Sequence, residues 1–150
     1  MAAVLPSALI IRTSAFFGSW DRFNIVTSAL EALAAGDECR VPAAVVSPTY
    51  VPDLVNAALD LLIDGEHGVW HLANRGEVSW RELVERAATL VNVGVAGLRE
   101  APPGAGSGRG YTALGSERGR LLPTLDDALA RYVRLFHDQP ARASRAAVGA

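Results

Sequence analysis

The alternation of short apolar runs with segments of helical periodicity constrains the fold of this chain more than any other feature. Residues 8–11 and 45–46 are short apolar runs, residues 69–72 are mostly apolar with His71 among them, and a weaker run surrounds Leu98. Such runs are typical of buried strands in a parallel sheet. Because strands that alternate with helices form α/β folds, the sequence predicts an α/β fold. The strands are few and short, which indicates a portion of a larger doubly wound sheet.

Apolar residues at helical spacing predict four helices, which begin near residues 26, 52, 79 and 124. A turn at residues 16–18 precedes the first helix, Gly36 is placed to end that helix, and Gly65 and Gly68 are placed to close the second. Ser79 and Glu82 have the spacing of a capping box at the start of the third. We predict one domain over residues 1–140, with a mobile glycine-rich loop at 101–110 and a disordered tail at 141–150.

Composition argues against several classes of protein. The formal net charge of −2 gives no electrostatic reason to expect binding to nucleic acid or to an anionic membrane. No apolar run reaches the roughly 18 residues that a membrane-spanning helix needs. The single cysteine, Cys39, excludes an internal disulfide. We therefore expect a soluble, cytoplasmic protein that binds neither nucleic acid nor membrane.

Several patterns that carry chemistry in other proteins are missing from this sequence. The glycines at positions 104, 106, 108 and 110 have neither the dinucleotide-binding nor the phosphate-loop spacing. His67, His71 and His137 lack a short metal-ligand spacing on one helical face, so no metal site is expected. All 14 basic residues are arginine, so no lysine is available for catalysis.

Polar residues at the ends of two predicted strands are the strongest candidates for a binding site. Arg12, Thr13 and Ser14 follow the first strand, and residues 47–49 (Ser47, Pro48 and Thr49) follow the second. Ligands of open α/β sheets bind outside the carboxyl ends of the strands, where loop side chains and backbone groups converge. The alternative is that these hydroxyl side chains only cap turns.

The same segments resemble a known family, the dTDP-4-dehydrorhamnose reductases (RmlD-like), which are extended short-chain dehydrogenases. The resemblance rests on LIIRTS (9–14) with FG (17–18) and RFNIV (22–26), on VSPTYVPDL (46–54), and on GVWHLAN (68–74) with VSWREL (78–83). It covers about residues 8–92. The later ALGSERGRLLPTLDDAL (113–129) resembles the branch in which the reductase domain is fused to a glycosidase-like domain. Ala15 stands where the family commonly has a tryptophan.

The resemblance implies the C-terminal, substrate-binding portion of such an enzyme, without the N-terminal Rossmann half. The complete family enzyme uses NADPH to reduce the C4 ketone of a dTDP-6-deoxy-hexulose in dTDP-L-rhamnose biosynthesis. Its Tyr-x-x-x-Lys pair and glycine fingerprint have no counterpart in this chain. No catalytic residue is therefore assigned, tight NADP binding is not expected, and the chain alone is expected to be inactive.

By the resemblance, Arg12, Thr13 and Ser14 line the nicotinamide and sugar end of the cleft, and residues 47–49 shape its other wall. Arg118 is implied to meet the diphosphate of the dTDP-sugar. The alternative function is a non-catalytic module for sugar-nucleotide binding or assembly. The apolar strand at residues 8–11 is expected to contact a Rossmann-half partner or a second copy of the chain.

Overall fold

The computed structural model describes residues 7–21, 23–102, 114 and 121–137, which form alternating strands and helices. The strands are β1 (Leu9–Arg12), β2 (Phe16–Phe17), β3 (Cys39–Val41), β4 (Val45–Val46), β5 (Thr49–Tyr50), β6 (Gly68–His71), β7 (Val78–Ser79) and β8 (Leu98–Glu100). The helices are α1 (Ile25–Ala34), α2 (Val51–Ile63), α3 (Trp80–Leu90) and α4 (Leu125–His137). The α/β prediction is confirmed. Residues 103–110 of the predicted loop and the tail at 141–150 lie outside the described residues.

The strands pair two by two, and most of the pairs are parallel. β1 lies beside β6, β2 beside β5 and β3 beside β8 in parallel, while β4 and β7 are antiparallel. Every parallel pair joins strands that are separated in sequence by at least one helix, as parallel pairing requires. The topology therefore brings residues near position 12 next to residues near position 71.

Four of these strands coincide with predicted ones, but β2, β3, β5 and β7 were not predicted. Phe16 and Phe17, interpreted from the sequence as part of a turn, form a strand that pairs with Thr49 and Tyr50. These strands of two or three residues are too short for an alternation of polar and apolar residues to be recognised, whereas the equally short β4 was predicted from its two adjacent valines. Such strands depend on a partner distant in sequence, which local periodicity does not contain.

The helix boundaries follow the local signals closely. Gly36 and Gly65 have φ angles of 81° and 70°, and each lies just after the end of its helix. Glycine adopts this left-handed conformation without steric cost. Gly68, which was also predicted to close α2, is instead the first residue of β6. At the start of α3, the Ser79 hydroxyl accepts a hydrogen bond from the Glu82 N–H at 3.0 Å. This hydrogen bond confirms the predicted N-cap at Ser79. The Glu82 carboxylate pairs with Arg86 at 2.6 Å.

The core is centred on aromatic residues contributed by three distant parts of the chain. Phe17, Tyr50 and Tyr132 are almost completely buried. The Phe17 and Tyr132 rings meet edge to face at 5.6 Å, and the Tyr132 hydroxyl is 2.6 Å from the Thr27 hydroxyl inside the core. These contacts fix α4 against α1 and β2. No helix among the described residues is both long and apolar enough to cross a membrane.

Candidate binding site at the strand ends

The carboxyl ends of β1 and β6 lie at the same edge because the two strands are parallel and in register. Arg12 is opposite His71, and the Leu72 N–H donates a hydrogen bond to the Arg12 carbonyl at 2.9 Å. Residues 13–15 and 72–74 therefore leave the sheet side by side. This is the position at which open α/β sheets bind ligands.

The two polar segments singled out in the sequence are in direct contact at this edge. The Thr13 hydroxyl donates a hydrogen bond to the Thr49 hydroxyl at 3.1 Å, and the Thr49 N–H donates to the Ala15 carbonyl at 3.0 Å. Ala15 has a φ angle of 43°, which is uncommon for a residue with a side chain. This turn directs the Ala15 carbonyl toward Thr49, so the segment after β1 packs directly on the segment after β4.

The predicted site residues differ in their exposure. Arg12 is exposed, and Thr13 and Ser14 are half-buried. Residues 47–49 are buried, and the Ser47 hydroxyl accepts a hydrogen bond from the Leu114 N–H at 2.9 Å. The first segment therefore presents side chains at the surface, whereas the second supports it from beneath. Arg118 lies outside the described residues.

A buried asparagine that the sequence analysis did not select holds the second segment in place. Asn74 is 2 % exposed. Its N–H donates to the Pro48 carbonyl at 3.1 Å, and its side-chain oxygen accepts from the Tyr50 N–H at 2.7 Å. Asn74 follows β6, so the strand-end rule that selected Arg12 would also have found it.

Asn74 is in turn held by a partly buried ion pair between Asp53 on α2 and Arg131 on α4. Its side-chain N–H donates to Asp53 at 2.8 Å, and Arg131 binds both oxygens of Asp53, at 2.6 and 2.8 Å. The hydrogen bonds to Asp53 raise the pKa of Arg131 strongly, so this guanidinium stays charged. From the sequence, Asp53 was interpreted only as a favourable carboxylate in the first turn of a helix. Its pairing with Arg131, 78 residues away, has no local sequence signal.

The family model described as the RmlD substrate binding domain matches residues 1–102, which include the strand-end segments, Asp53 and Asn74. The chain belongs to this family. The resemblance stated from the sequence motifs is thereby confirmed. The RmlD-like chain continues beyond the matched region through α4, which supplies Arg131.

Comparison with individual relatives supports the same family. A dTDP-4-dehydrorhamnose reductase of Mycolicibacterium smegmatis is 34 % identical over 92 % of this chain and 47 % of its own length. The crystal structure of the Bacillus anthracis reductase, in complex with NADP, is 26 % identical with a TM-score of 0.73, over 83 % of this chain and 47 % of that one. A Clostridium acetobutylicum orthologue at 21 % identity superposes with a TM-score of 0.74 over 86 % and 49 % of the two chains, which supports the fold. The chain spans about half the length of the relatives it matches.

The tyrosines that the structure describes are placed in the core of this RmlD-like domain. Burial raises the pKa of Tyr50, whereas a tyrosine that gives up its proton during catalysis needs a lowered pKa. Tyr132 is completely buried against α1, and Tyr111 lies outside the described residues. Within the described part of the chain, no group of three or more His, Cys, Asp or Glu side chains is arranged to hold a metal ion.

Proposed function

We propose that the chain is the substrate-binding part of a dTDP-4-dehydrorhamnose reductase-like enzyme and that it binds a dTDP-sugar. The observation that carries this proposal is the contact between Thr13 and Thr49 at the carboxyl edge of β1 and β6. Arg12, Thr13 and Ser14 line the sugar end of the cleft in this proposal, and residues 47–49, which are buried, support these three residues from beneath. Arg118 meets the diphosphate in this proposal, on the strength of the sequence resemblance.

NADPH belongs to the complete reductase in this proposal. The residues of this chain do not fit a dinucleotide site on their own, because the sequence has no glycine fingerprint at the start of a helix. The missing fingerprint and the missing lysine also favour the second candidate, a non-catalytic module that binds a sugar nucleotide or assists assembly. An adjacent reading frame that encodes a glycine fingerprint and a Tyr-x-x-x-Lys pair would favour the reductase.

Titration calorimetry with dTDP-L-rhamnose tests the binding proposal. We expect saturable binding by the unmodified chain and a Kd raised about tenfold or more by Arg12→Gln, since a hydrogen bond to a charged group contributes about 1.5–3 kcal/mol. Thr13→Val, which removes a hydroxyl at nearly constant volume, should weaken binding less. Arg40→Gln is the matched control, because Arg40 is exposed on β3. Absence of saturable binding, or an equal loss in Arg40→Gln, would contradict the proposal.

We also propose that β1 is a contact strand, covered by the Rossmann half in a complete enzyme and by a second copy in the isolated chain. Leu9, Ile10 and Ile11 are apolar yet only partly buried, and among the described residues β1 pairs only with β6. A strand with an unpaired edge is a template for association. An interface of this kind normally buries about 800 Å² on each partner.

Light scattering measures this association directly. We expect the mass of the unmodified chain to rise with concentration and Ile10→Glu to shift it toward the monomer. Circular dichroism establishes whether that variant is folded, and Ile10→Thr provides a milder change of the same strand. Leu135→Glu is the control, since Leu135 is 43 % exposed on α4. A monomer at every concentration would rule out self-association through β1.

A further inference from the structure

Residues 48–50, which support the proposed sugar site, are held by Asn74 through one donated and one accepted hydrogen bond, as residues of a strand are held by a neighbouring strand. Asn74 donates its N–H to the Pro48 carbonyl and accepts the Tyr50 N–H on its side chain. These two bonds leave Thr49 between them, and the Thr49 hydroxyl accepts from Thr13. The position of Thr13 therefore depends on how firmly residues 48–50 are fixed.

The orientation of the Asn74 side chain depends on Asp53 and Pro123. Its amide nitrogen donates to the Asp53 carboxylate at 2.8 Å and to the Pro123 carbonyl at 3.2 Å. These bonds direct the amide oxygen toward Tyr50. Without these two acceptors, the Asn74 side-chain amide would no longer be fixed in this orientation.

Asp53 is fixed by Arg131, whose guanidinium binds it through two parallel hydrogen bonds. The side chain of Asp53 is 6 % exposed, so little water is available to replace Arg131. A fork of two N–H groups on a carboxylate fixes geometry as well as charge. Arg131 also lies over the Tyr50 ring, with its central carbon 5.2 Å from the ring centre. Arg131 thus contacts the Tyr50 ring directly and fixes the Tyr50 backbone indirectly, through Asp53 and Asn74.

We propose that Arg131 is a positioning residue for the proposed sugar site. It fixes residues 48–50 through Asp53 and Asn74, and the hydroxyl of Thr49 in turn holds Thr13. The inference rests on the proposed function for its ligand. Arg131 lies on α4, outside the region matched by the family model. In this proposal α4 takes part in substrate binding through Asp53 and Asn74.

The test uses the full chain with Arg131→Met and Arg131→Lys, and with Arg134→Met as the control. Arg134 is exposed on the same helix, so the same chemical change is made away from the network. Two quantities are measured under conditions in which each variant is folded. They are the Kd for dTDP-L-rhamnose and the hydrogen-exchange rate of the Tyr50 amide relative to the amides of α3.

We expect Arg131→Met to raise both the Kd and the relative exchange rate of Tyr50 by about tenfold, and Arg131→Lys, which keeps the charge but not the fork, to raise both less. Arg134→Met should change neither. If hydrogen exchange of the Tyr50 amide increases only by the same factor as exchange of the α3 amides, or if the Kd is unchanged, Arg131 is merely structural and the inference is wrong. If Arg131→Met does not fold, Arg131→Lys decides by the same two measurements. If the unmodified chain binds no dTDP-L-rhamnose, the proposed function fails. The relative hydrogen-exchange rate of the Tyr50 amide then decides alone whether Arg131 positions residues 48–50.

Discussion

The 150-residue chain is expected to consume no NADPH with dTDP-4-dehydrorhamnose. The family's Tyr-x-x-x-Lys pair protonates the alkoxide, and a positioned general acid is worth about 10²–10⁴-fold. The chain has no lysine, Tyr50 is buried with a raised pKa, and Tyr132 is buried against Thr27. No glycine fingerprint is present to hold the cofactor pyrophosphate. The sequence therefore contains neither the Tyr-x-x-x-Lys pair nor the glycine fingerprint on which this reaction depends in the family.

The measurement is the loss of NADPH absorbance with and without the sugar nucleotide. The Mycolicibacterium smegmatis dTDP-4-dehydrorhamnose reductase is the positive control in the same buffer, since the region matched by this chain covers 47 % of its length. Addition of a separately expressed Rossmann half is the informative second condition. Sugar-dependent turnover by the chain alone, above a blank without protein, would contradict the expectation.

Asp53→Ala is expected to destabilise the fold by about 3 kcal/mol, near the lower end of the values for breaking a buried ion pair. The substitution leaves Arg131 without its buried carboxylate and removes one of the two acceptors of the Asn74 amide. The cost is placed at the low end because the Arg131 side chain is 35 % exposed and water can reach it.

Asp127→Ala is the matched control for this prediction. Asp127 pairs with the same guanidinium at 2.8 Å, but its side chain is 57 % exposed and it lies four residues earlier on the same helix. An exposed pair of this kind contributes about 0.3–0.5 kcal/mol, to which the helix dipole adds a similar amount. Urea unfolding of both variants measures the difference. Equal losses of stability would show that the burial of Asp53 does not determine the strength of the pair.

The site could be predicted from the sequence only in outline. The strand-end rule selected Arg12, Thr13 and residues 47–49, and the structure brings these segments together through Thr13 and Thr49. The rule did not distinguish exposed from buried members, because exposure depends on what packs over each loop. Ser47, for example, is covered by a contact with Leu114, 67 residues away.

The sequence by itself determined the α/β class, the helix ends at Gly36 and Gly65, the N-cap at Ser79 and the absence of a lysine-dependent catalytic pair. These features depend on neighbouring residues, on the order of segments along the chain or on composition, so they can be predicted without knowing which distant residues come into contact. The tertiary structure alone decided that Phe16 and Phe17 form a strand beside β5 and that Arg131 binds Asp53. Both pairings join groups distant in sequence, and only the packing of the helices on the sheet brings those groups within bonding distance.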